Sequence, residues 1–199
     1  MAFEQLLEDY NDLKLFEAIR ELDGGAPTWR LRGVFSEANV ANKNKRVYPI
    51  NIMREVVESL QPIVAEGGFV GELDHPPSPK INMDKISHKI TRLTMTEAGK
   101  VIGEIVPAGP RKGDLISLLE DKIRCGVSTR GTGKVKPYLG PLGEDLVEVL
   151  PGYSMKAIDI VFDPSAGAFP SPVLEDIATK VMLGGSASFR KIWEDVFTK

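Results

Sequence analysis

Residues 86–106 read ISHKITRLTMTEAGKVIGEIV and predict an antiparallel β-hairpin. Two stretches of this run, residues 86–95 and 100–106, are rich in β-branched side chains, and the Glu-Ala-Gly sequence at 97–99 supplies the turn between them. The alternation of apolar and polar residues breaks near Thr91, where a bulge or a twist is expected. The hairpin therefore makes an antiparallel sheet the centre of the predicted fold.

Further strands and helices flank this hairpin along the chain. Alternating or apolar runs predict strands at residues 29–35, 69–73, 126–134, 146–150 and 153–162. Helical spacing of apolar residues predicts helices at residues 3–22, 50–65, 114–124 (with Asp114 as the N-cap), 172–182 and 187–197. Many short antiparallel strands with inserted helices favour an α+β fold, a small antiparallel β-barrel-like core surrounded by helices.

Glycine pairs divide the chain into a core and two ends. Gly24-Gly25 stops the first predicted helix and begins a short linker, and Gly184-Gly185 splits the last two helices. We therefore expect a helical N-terminal extension at residues 1–25, a core domain at 26–170 and a helical C-terminal tail at 171–199.

The composition excludes several classes of protein. Of the 199 residues 42% are hydrophobic, enough for a packed core, and the net charge of -3 gives no general affinity for nucleic acid. No apolar run approaches the roughly 20 residues of a membrane span, and the acidic N-terminus does not resemble a secretory signal. The one cysteine, Cys125, rules out an internal disulfide and fits a reducing cytoplasm. Two histidines and one cysteine are too few for a typical zinc site, so neither a metal nor a cofactor is predicted.

His75 is a candidate general base. It stands in the sequence Gly-Glu-Leu-Asp-His-Pro-Pro at 71–77, directly after a predicted strand. The two prolines fix the direction of the chain, and an imidazole titrates in the range that general-base work near neutral pH needs. A surface-loop histidine without a catalytic role is the alternative.

Ser128 is a candidate nucleophile. It lies in the glycine-rich sequence Cys-Gly-Val-Ser-Thr-Arg-Gly-Thr-Gly at 125–133, and glycines let backbone N–H groups approach a developing oxyanion. The hydrolase pattern Gly-x-Ser-x-Gly is only half matched, because Arg130 stands in place of the second glycine, so an α/β-hydrolase is not predicted. A glycine-rich turn with an incidental serine stays open.

Cys125 and Asp159 complete the set of candidates. Cys125 is three positions before Ser128, so on a strand the two side chains point to opposite faces, and a small buried hydrophobe is the favoured interpretation of the cysteine.

Asp159 interrupts the apolar run at 157–162, where a carboxylate must be paired or costs free energy. A histidine Nδ1 partner would satisfy it and orient the imidazole. An aspartate on a solvent-exposed face is the alternative.

Several stretches, taken together in order, resemble the prohead core (capsid-maturation) serine proteases of T-even-type tailed phages. The strings Asn-Lys-Arg-x-Tyr-Pro and Glu-Leu-x-His-Pro-Pro are the most specific when they occur together. The resemblance spans residues 29–170, whereas 1–25 and 171–199 have no match. The matching stretches are Gly-Val-Phe at 33–35, the run 37–49, the run 71–77, the run 126–133, and Asp159 followed by Asp-Pro-Ser-Ala at 163–166.

This resemblance implies a serine endopeptidase that is packaged inside the immature capsid, the prohead, in the host cytoplasm. It would cut scaffold or core proteins, the major capsid protein and itself after glutamate in (Leu/Ile)-x-Glu contexts. It would form a homo-oligomer and bind neither nucleic acid nor membrane. The implied fold is related to the herpesvirus assemblin proteases, a β-barrel with helices around it.

The resemblance also implies roles for individual residues. His75 would be the general base, Ser128 the nucleophile and Asp159 the third catalytic residue, while Glu72 or Asp74 could orient the histidine instead.

Binding of the oxyanion and of the substrate is expected nearby. Arg130 matches the arginine that the family has two residues after the serine, and with backbone groups from Gly131 onwards it would contact the oxyanion or the substrate carboxylate. Lys45 and Arg46 are further candidates to receive the substrate glutamate.

Two other classes of protein remain open. One is a non-enzymatic capsid- or scaffold-associated protein with the same fold, and the other is a cysteine hydrolase that uses Cys125 with His75. If the chain is a protease, self-cleavage is expected first in the two end segments, because termini fray and are preferred nicking sites. The expected sites there follow Glu8, Glu17, Glu21 and Glu194.

Overall fold

The computed structural model describes residues 5–10, 16–23, 26–74, 76, 78–123, 125–161 and 195–197. Its helices are α1 (Ile50–Ala65), a short 3-10 helix (Met83–Lys85) and α2 (Lys112–Glu120). Its strands are β1 (Gln5–Tyr10), β2 (Phe16–Asp23), β3 (Ala26–Glu37), β4 (Arg46–Val47), β5 (Val70–Glu72), β6 (Ile86–Met95), β7 (Lys100–Pro107), β8 (Gly126–Gly133), β9 (Val135–Leu139), β10 (Asp145–Val149) and β11 (Ser154–Val161).

The strands form three sheets. The first has the order β2-β3-β7-β6-β5, the second β1-β8-β11 and the third β4-β10-β9. The α+β class is as predicted, but within the described ranges the sheets do not close into the expected barrel. The first two sheets meet at an isolated bridge between Leu73 and Ile160. A longer ladder does not form because the chain leaves the extended conformation at Asp74, whose φ is 64°.

The helix predicted at residues 3–22, and with it a helical N-terminal extension, is wrong. The described backbone of this region forms β1, which pairs with β8, and β2, which pairs with β3. Apolar residues in this stretch do recur at helical spacing, but the pairing of β1 with the distant β8 and of β2 with the adjacent β3 overrides that local preference. Asp23 pairs with Ala26, so the strand ends before and after Gly24-Gly25 lie side by side, whereas the linker predicted at the two glycines falls outside the described residues.

The helix predicted at residues 50–65 is confirmed as α1. It packs against β6, and the Gln61 side-chain amide donates to the Leu93 carbonyl at 2.9 Å. Burying each large apolar side chain of this face contributes about 1.5–3 kcal/mol, so the amphipathic pattern determines where the helix lies. The buried side chains of α1 are Ile52, Met53, Val56, Val57, Leu60 and Val64.

The bulge predicted near Thr91 is confirmed, because the pairing of β6 with β7 shifts between Ile90 and Arg92. The Thr91 hydroxyl donates to Glu104 Oε1 and the Arg32 Nε–H donates to Glu104 Oε2, both at 2.7 Å. Burial raises the pKa of Glu104, but these hydrogen bonds and the nearby arginine charges outweigh it and hold the pKa below its ordinary value. The basic side chains of β3, Arg30 and Arg32, are therefore paired with Glu104 on the neighbouring strand β7.

Other predicted elements differ in their ends. Helix α2 begins at Lys112 with Arg111 as its N-cap, so the prediction of Asp114 as the cap is wrong. Asp114 lies in the first turn, where a carboxylate favours the helix dipole, and accepts from Arg111 Nη1 at 3.2 Å. The strands predicted at 29–35, 69–73, 126–134, 146–150 and 153–162 correspond to β3, β5, β8, β10 and β11.

The C-terminal tail is largely outside the described residues. Of the helices predicted at 172–182 and 187–197 only residues 195–197 are described, and these are helical. No helix in the described part of the chain is long and apolar enough to cross a lipid bilayer.

Candidate active site

Three polar side chains lie on one face of the sheet formed by β1, β8 and β11. Ser128 and Arg130 are two residues apart on β8 and therefore project from the same face. Asp159 lies directly opposite Ser128 in the β8–β11 ladder, an arrangement that places two Cβ atoms about 4.5–5.5 Å apart. All three residues are completely buried. The strand register thus brings the predicted nucleophile beside the predicted third catalytic residue.

Asp159 forms a two-pronged ion pair with Arg130. The Arg130 Nε–H donates to Asp159 Oδ2 at 2.8 Å, and Nη2 donates to Oδ1 at 3.1 Å. Oδ1 also accepts the Glu72 backbone N–H at 3.0 Å. Parallel charge-assisted hydrogen bonds of this kind are among the strongest in proteins. The prediction that a carboxylate in this apolar strand must be paired is therefore confirmed, with a guanidinium as a partner.

The remaining donors of Arg130 also face protein acceptors. Nη1 donates to the Ser78 carbonyl at 2.5 Å and the Lys80 carbonyl at 3.4 Å, and Nη2 lies 3.6 Å from Glu72 Oε1. Glu72 Oε1 in turn accepts the Asn82 N–H at 2.7 Å. Arg130 thus ties the segment after β5 to β8 and β11. This arrangement gives no geometric basis for its expected role at the oxyanion, and that role stays a prediction.

The predicted base, His75, lies outside the described residues. The chain immediately before it is held on β11, where Leu73 forms a bridge with Ile160 and the Asp74 N–H donates to the Ile160 carbonyl at 2.7 Å. Ile160 directly follows Asp159 in the sequence. The segment that leads into His75 is therefore anchored one residue from the Asp159 carboxylate.

The second histidine, His88, is a buried structural link between β6 and β11. Its Nε2 lies 2.7 Å from the Ile158 carbonyl, which can only accept, so Nε2 carries the proton and Nδ1 accepts from the Ser87 hydroxyl at 2.8 Å. Burial lowers the pKa of His88 to about 4. A methyl group at Gly71 would collide with the Ile158 carbonyl and the His88 ring, so this close approach requires glycine there. The sequence alone did not indicate this link.

A pair of tyrosines supports the glycine-rich end of β8. The rings of Tyr48 and Tyr153 are both buried and pack edge to face with centroids 5.1 Å apart. A Cβ at Gly131 would lie 2.5 Å from the Tyr153 ring and 2.7 Å from the Ser154 carbonyl. Gly131 therefore permits the packing of Tyr153 against the sheet, a role separate from its predicted one at the oxyanion.

Cys125 has the environment of an unreactive thiol. It is buried, and desolvation raises the pKa of its thiol to about 11. The thiolate is the nucleophilic form of cysteine, so such a shift opposes catalysis at neutral pH. The interpretation of Cys125 as a small buried hydrophobe is confirmed.

The basic candidates for the substrate glutamate lie elsewhere. Arg46 is on β4, and Lys45 directly precedes it, next to the sheet of β4, β10 and β9 rather than in the sheet of Ser128. Among the described residues no group of three His, Cys, Asp or Glu side chains is placed to hold a metal ion.

Known proteins share both the sequence and the fold of this chain. The family described as prohead core protein serine protease matches residues 10–177. A prohead core protein protease of Enterobacteria phage T4 is 30% identical over 152 residues, which cover 72% of this chain and 68% of the relative. The structure of the capsid assembly protease of bacteriophage T4 has a TM-score of 0.69 at 24% identity, covers 80% of this chain and 99% of its own, and shows the same fold.

These matches define the chain as a serine protease, a hydrolase. It belongs to the prohead core protein serine proteases, as the resemblance in the sequence indicates. Membership of this family implies action within the phage prohead on capsid or core proteins.

Proposed function

We propose that Ser128 is the nucleophile of this protease, His75 its general base and Asp159 the residue that orients the base. The observation that carries this assignment is the β8–β11 ladder, in which Asp159 lies opposite Ser128. A base seated over these two residues could contact both, as a Ser-His-Asp mechanism requires. The hydrogen bond from the Asp74 N–H to the Ile160 carbonyl supports this assignment, because it holds the residue before His75 on β11.

The alternative third residues have weaker geometric support. Glu72 is buried, and its Oε1 accepts the Asn82 N–H, just as both carboxylate oxygens of Asp159 accept hydrogen bonds from the protein. Asp74 is exposed to solvent. Neither side chain lies in the ladder beside Ser128, so we infer that Asp159 has the orienting role.

In the proposed reaction His75 takes the proton of Ser128 as Oγ attacks the carbonyl carbon of the scissile bond. Backbone N–H groups at residues 131–133 stabilise the oxyanion. The histidine then gives its proton to the leaving amine, and an acyl-enzyme forms. Water activated by the same histidine releases the acyl group, so no cofactor takes part.

The proposed specificity is the one that the resemblance in the sequence implies. We infer cleavage of scaffold or core proteins, the major capsid protein and the chain itself, after glutamate in (Leu/Ile)-x-Glu contexts. The guanidinium of Arg130 is engaged with Asp159, so exposed Lys45 and neighbouring Arg46 are the better candidates for the substrate carboxylate. We further propose a homo-oligomer that works inside the prohead in the host cytoplasm.

A serine-directed fluorophosphonate probe and a peptide substrate test this assignment together. Wild type should bind the probe covalently and cut a Leu-x-Glu peptide, whereas the matched Leu-x-Gln peptide should be cut far more slowly. Ser128→Ala should lose both activities by several orders of magnitude and keep its circular dichroism spectrum. Cys125→Ala is the control and should keep both. Labelling of Ser128→Ala at the wild-type rate would exclude Ser128, and no labelling of wild type would favour a non-enzymatic capsid protein.

A further inference from the structure

The chain at the end of β5 meets β11 at an isolated parallel bridge. Leu73 lies opposite Ile160, and the Asp74 N–H donates to the Ile160 carbonyl at 2.7 Å. Hydrogen bonds of a parallel ladder recur every two residues along each strand, so the bond before this one would join the Glu72 N–H to the Ile158 carbonyl. Both of these backbone groups are instead engaged by side chains.

Two buried side chains replace that ladder bond. The Glu72 N–H donates to Asp159 Oδ1 at 3.0 Å, and the Ile158 carbonyl accepts the Nε2–H of His88 at 2.7 Å. All four residues are completely buried, so water does not reach these groups. A buried backbone group without a partner costs free energy comparable to a lost hydrogen bond. Each side chain therefore supplies a partner that its backbone group needs.

We propose that His88 is a positioning residue for Asp159. The inference rests on the proposed function, in which Asp159 orients the general base. By donating to the Ile158 carbonyl, His88 leaves the Glu72 N–H available to the Asp159 carboxylate. Without the imidazole donor, the Ile158 carbonyl would take the Glu72 N–H, as in a continued ladder, and the carboxylate would lose this hydrogen bond.

The backbone at Gly71 allows the imidazole to reach β11. Gly71 lies opposite His88 in the pairing of β5 with β6, and a Cβ there would collide with both the Ile158 carbonyl and the His88 ring. The glycine thus lets a side chain of β6 pass β5 and contact a strand of another sheet. The β5–β6 register also shifts between Gly71 and Glu72, and a bulge of this kind changes the direction of the backbone groups beside it.

The bond from Glu72 differs from the other bonds to the Asp159 carboxylate. Arg130 Nε and Nη2 donate at 2.8 and 3.1 Å from the end of a long side chain on β8. The Glu72 N–H belongs to the backbone of β5, the strand that leads towards His75 in the sequence. It therefore fixes the carboxylate relative to the part of the chain that carries the proposed base.

Two amide variants test whether the donor at position 88 matters. His88→Gln places an amide N–H near the position of Nε2, whereas the side chain of His88→Asn is one methylene shorter and does not reach the Ile158 carbonyl. We expect His88→Asn to cut the Leu-x-Glu peptide with a kcat about tenfold lower and an unchanged KM, and His88→Gln to stay within about threefold of wild type. Ser87→Ala is the control, because it removes the hydrogen bond at the other ring nitrogen and should keep its kcat.

A double variant shows whether His88 acts through Asp159. Asp159→Asn should itself lower kcat strongly. Asp159→Asn/His88→Asn should then match Asp159→Asn within about twofold, because the carboxylate that His88 positions is already absent. A purely structural role would lower kcat by the same factor in both backgrounds.

The amide resonance of Glu72 measures the hydrogen bond without any cleavage. In ¹⁵N-labelled protein that also carries Ser128→Ala, this amide proton should shift upfield with His88→Asn and stay in place with Ser87→Ala. If His88→Asn does not fold, His88→Met, which keeps the volume without a donor, replaces it in all three measurements.

The outcomes separate this inference from the proposed function. Unchanged kcat in the folded donor-less variant, or an equal loss in both backgrounds, would overturn the positioning role of His88. An unshifted Glu72 resonance would overturn the route through that N–H. Full activity of Asp159→Asn would instead overturn the orienting role of Asp159 itself.

Discussion

Removal of Arg130 tests whether its ion pair with Asp159 holds the active-site sheet together. Arg130→Met keeps much of the side-chain volume and deletes the guanidinium, which leaves the buried carboxylates of Asp159 and Glu72 without this counter-charge. Breaking one side of a fully buried pair costs about 3–5 kcal/mol. The carbonyls of Ser78 and Lys80 lose a donor as well. We expect the free energy of unfolding, measured by urea denaturation, to fall by that amount.

A double-mutant cycle separates the pair from its surroundings. Asp159→Leu alone leaves the guanidinium buried without this partner, whereas Arg130→Met/Asp159→Leu removes both charges. The double variant should be less destabilised than the sum of the single variants, by about 1–3 kcal/mol. Arg111→Met is the matched control, because its pair with Asp114 is more than half exposed and should contribute less than about 1 kcal/mol. Additive single losses, or a loss for Arg130→Met as small as that of the control, would refute the reasoning.

Three further predictions concern other buried positions. Gly131→Ala should lower the free energy of unfolding by about 1–3 kcal/mol, because its methyl group meets Tyr153, whereas Gly113→Ala in the open first turn of α2 should be neutral or stabilising in the same urea titration. The free energy of unfolding should fall by a total of about 3 kcal/mol as the pH drops from 6.5 to 4, because His88 takes up a proton in the unfolded chain but not in the folded one. In urea titrations at several pH values, His88→Gln should show a smaller fall over this range. Cys125 should react with iodoacetamide at pH 8 only at the rate of unfolding, since burial raises its pKa to about 11, and fast alkylation of the native protein would contradict this.

Local patterns predicted the parts of the fold that local physics decides. The apolar stripe of α1 marks a helix from Ile50 to Ala65, and the broken alternation near Thr91 marks the bulge. β9 was missed because Pro137 interrupts its pattern, and the structure accommodates the proline by placing β9 at a sheet edge. The N-terminal strands were missed for a different reason, since β1 is defined by its pairing with β8 far along the chain.

In the candidate site, too, the sequence predicted what local patterns decide and missed what depends on contacts between distant residues. The sequence indicated that Asp159 needs a partner, because a lone carboxylate in an apolar strand is costly. It did not indicate that Arg130 closes on that carboxylate with two hydrogen bonds, because the contact depends on the register of β8 and β11. The packing of Tyr153 against Gly131 depends equally on three-dimensional proximity.

The bridge between Leu73 and Ile160 has a consequence for the timing of activity during synthesis. The residues that lead into the proposed base belong to the sheet of β5, whereas the proposed nucleophile belongs to the sheet of β8 and β11. A nascent chain that has emerged only as far as β10 lacks Asp159 and the strand on which both parts meet. Such a chain can fold much of the first sheet without yet being able to cleave other proteins. Proteolytic competence would then arise late in translation, once β11 has emerged and docked.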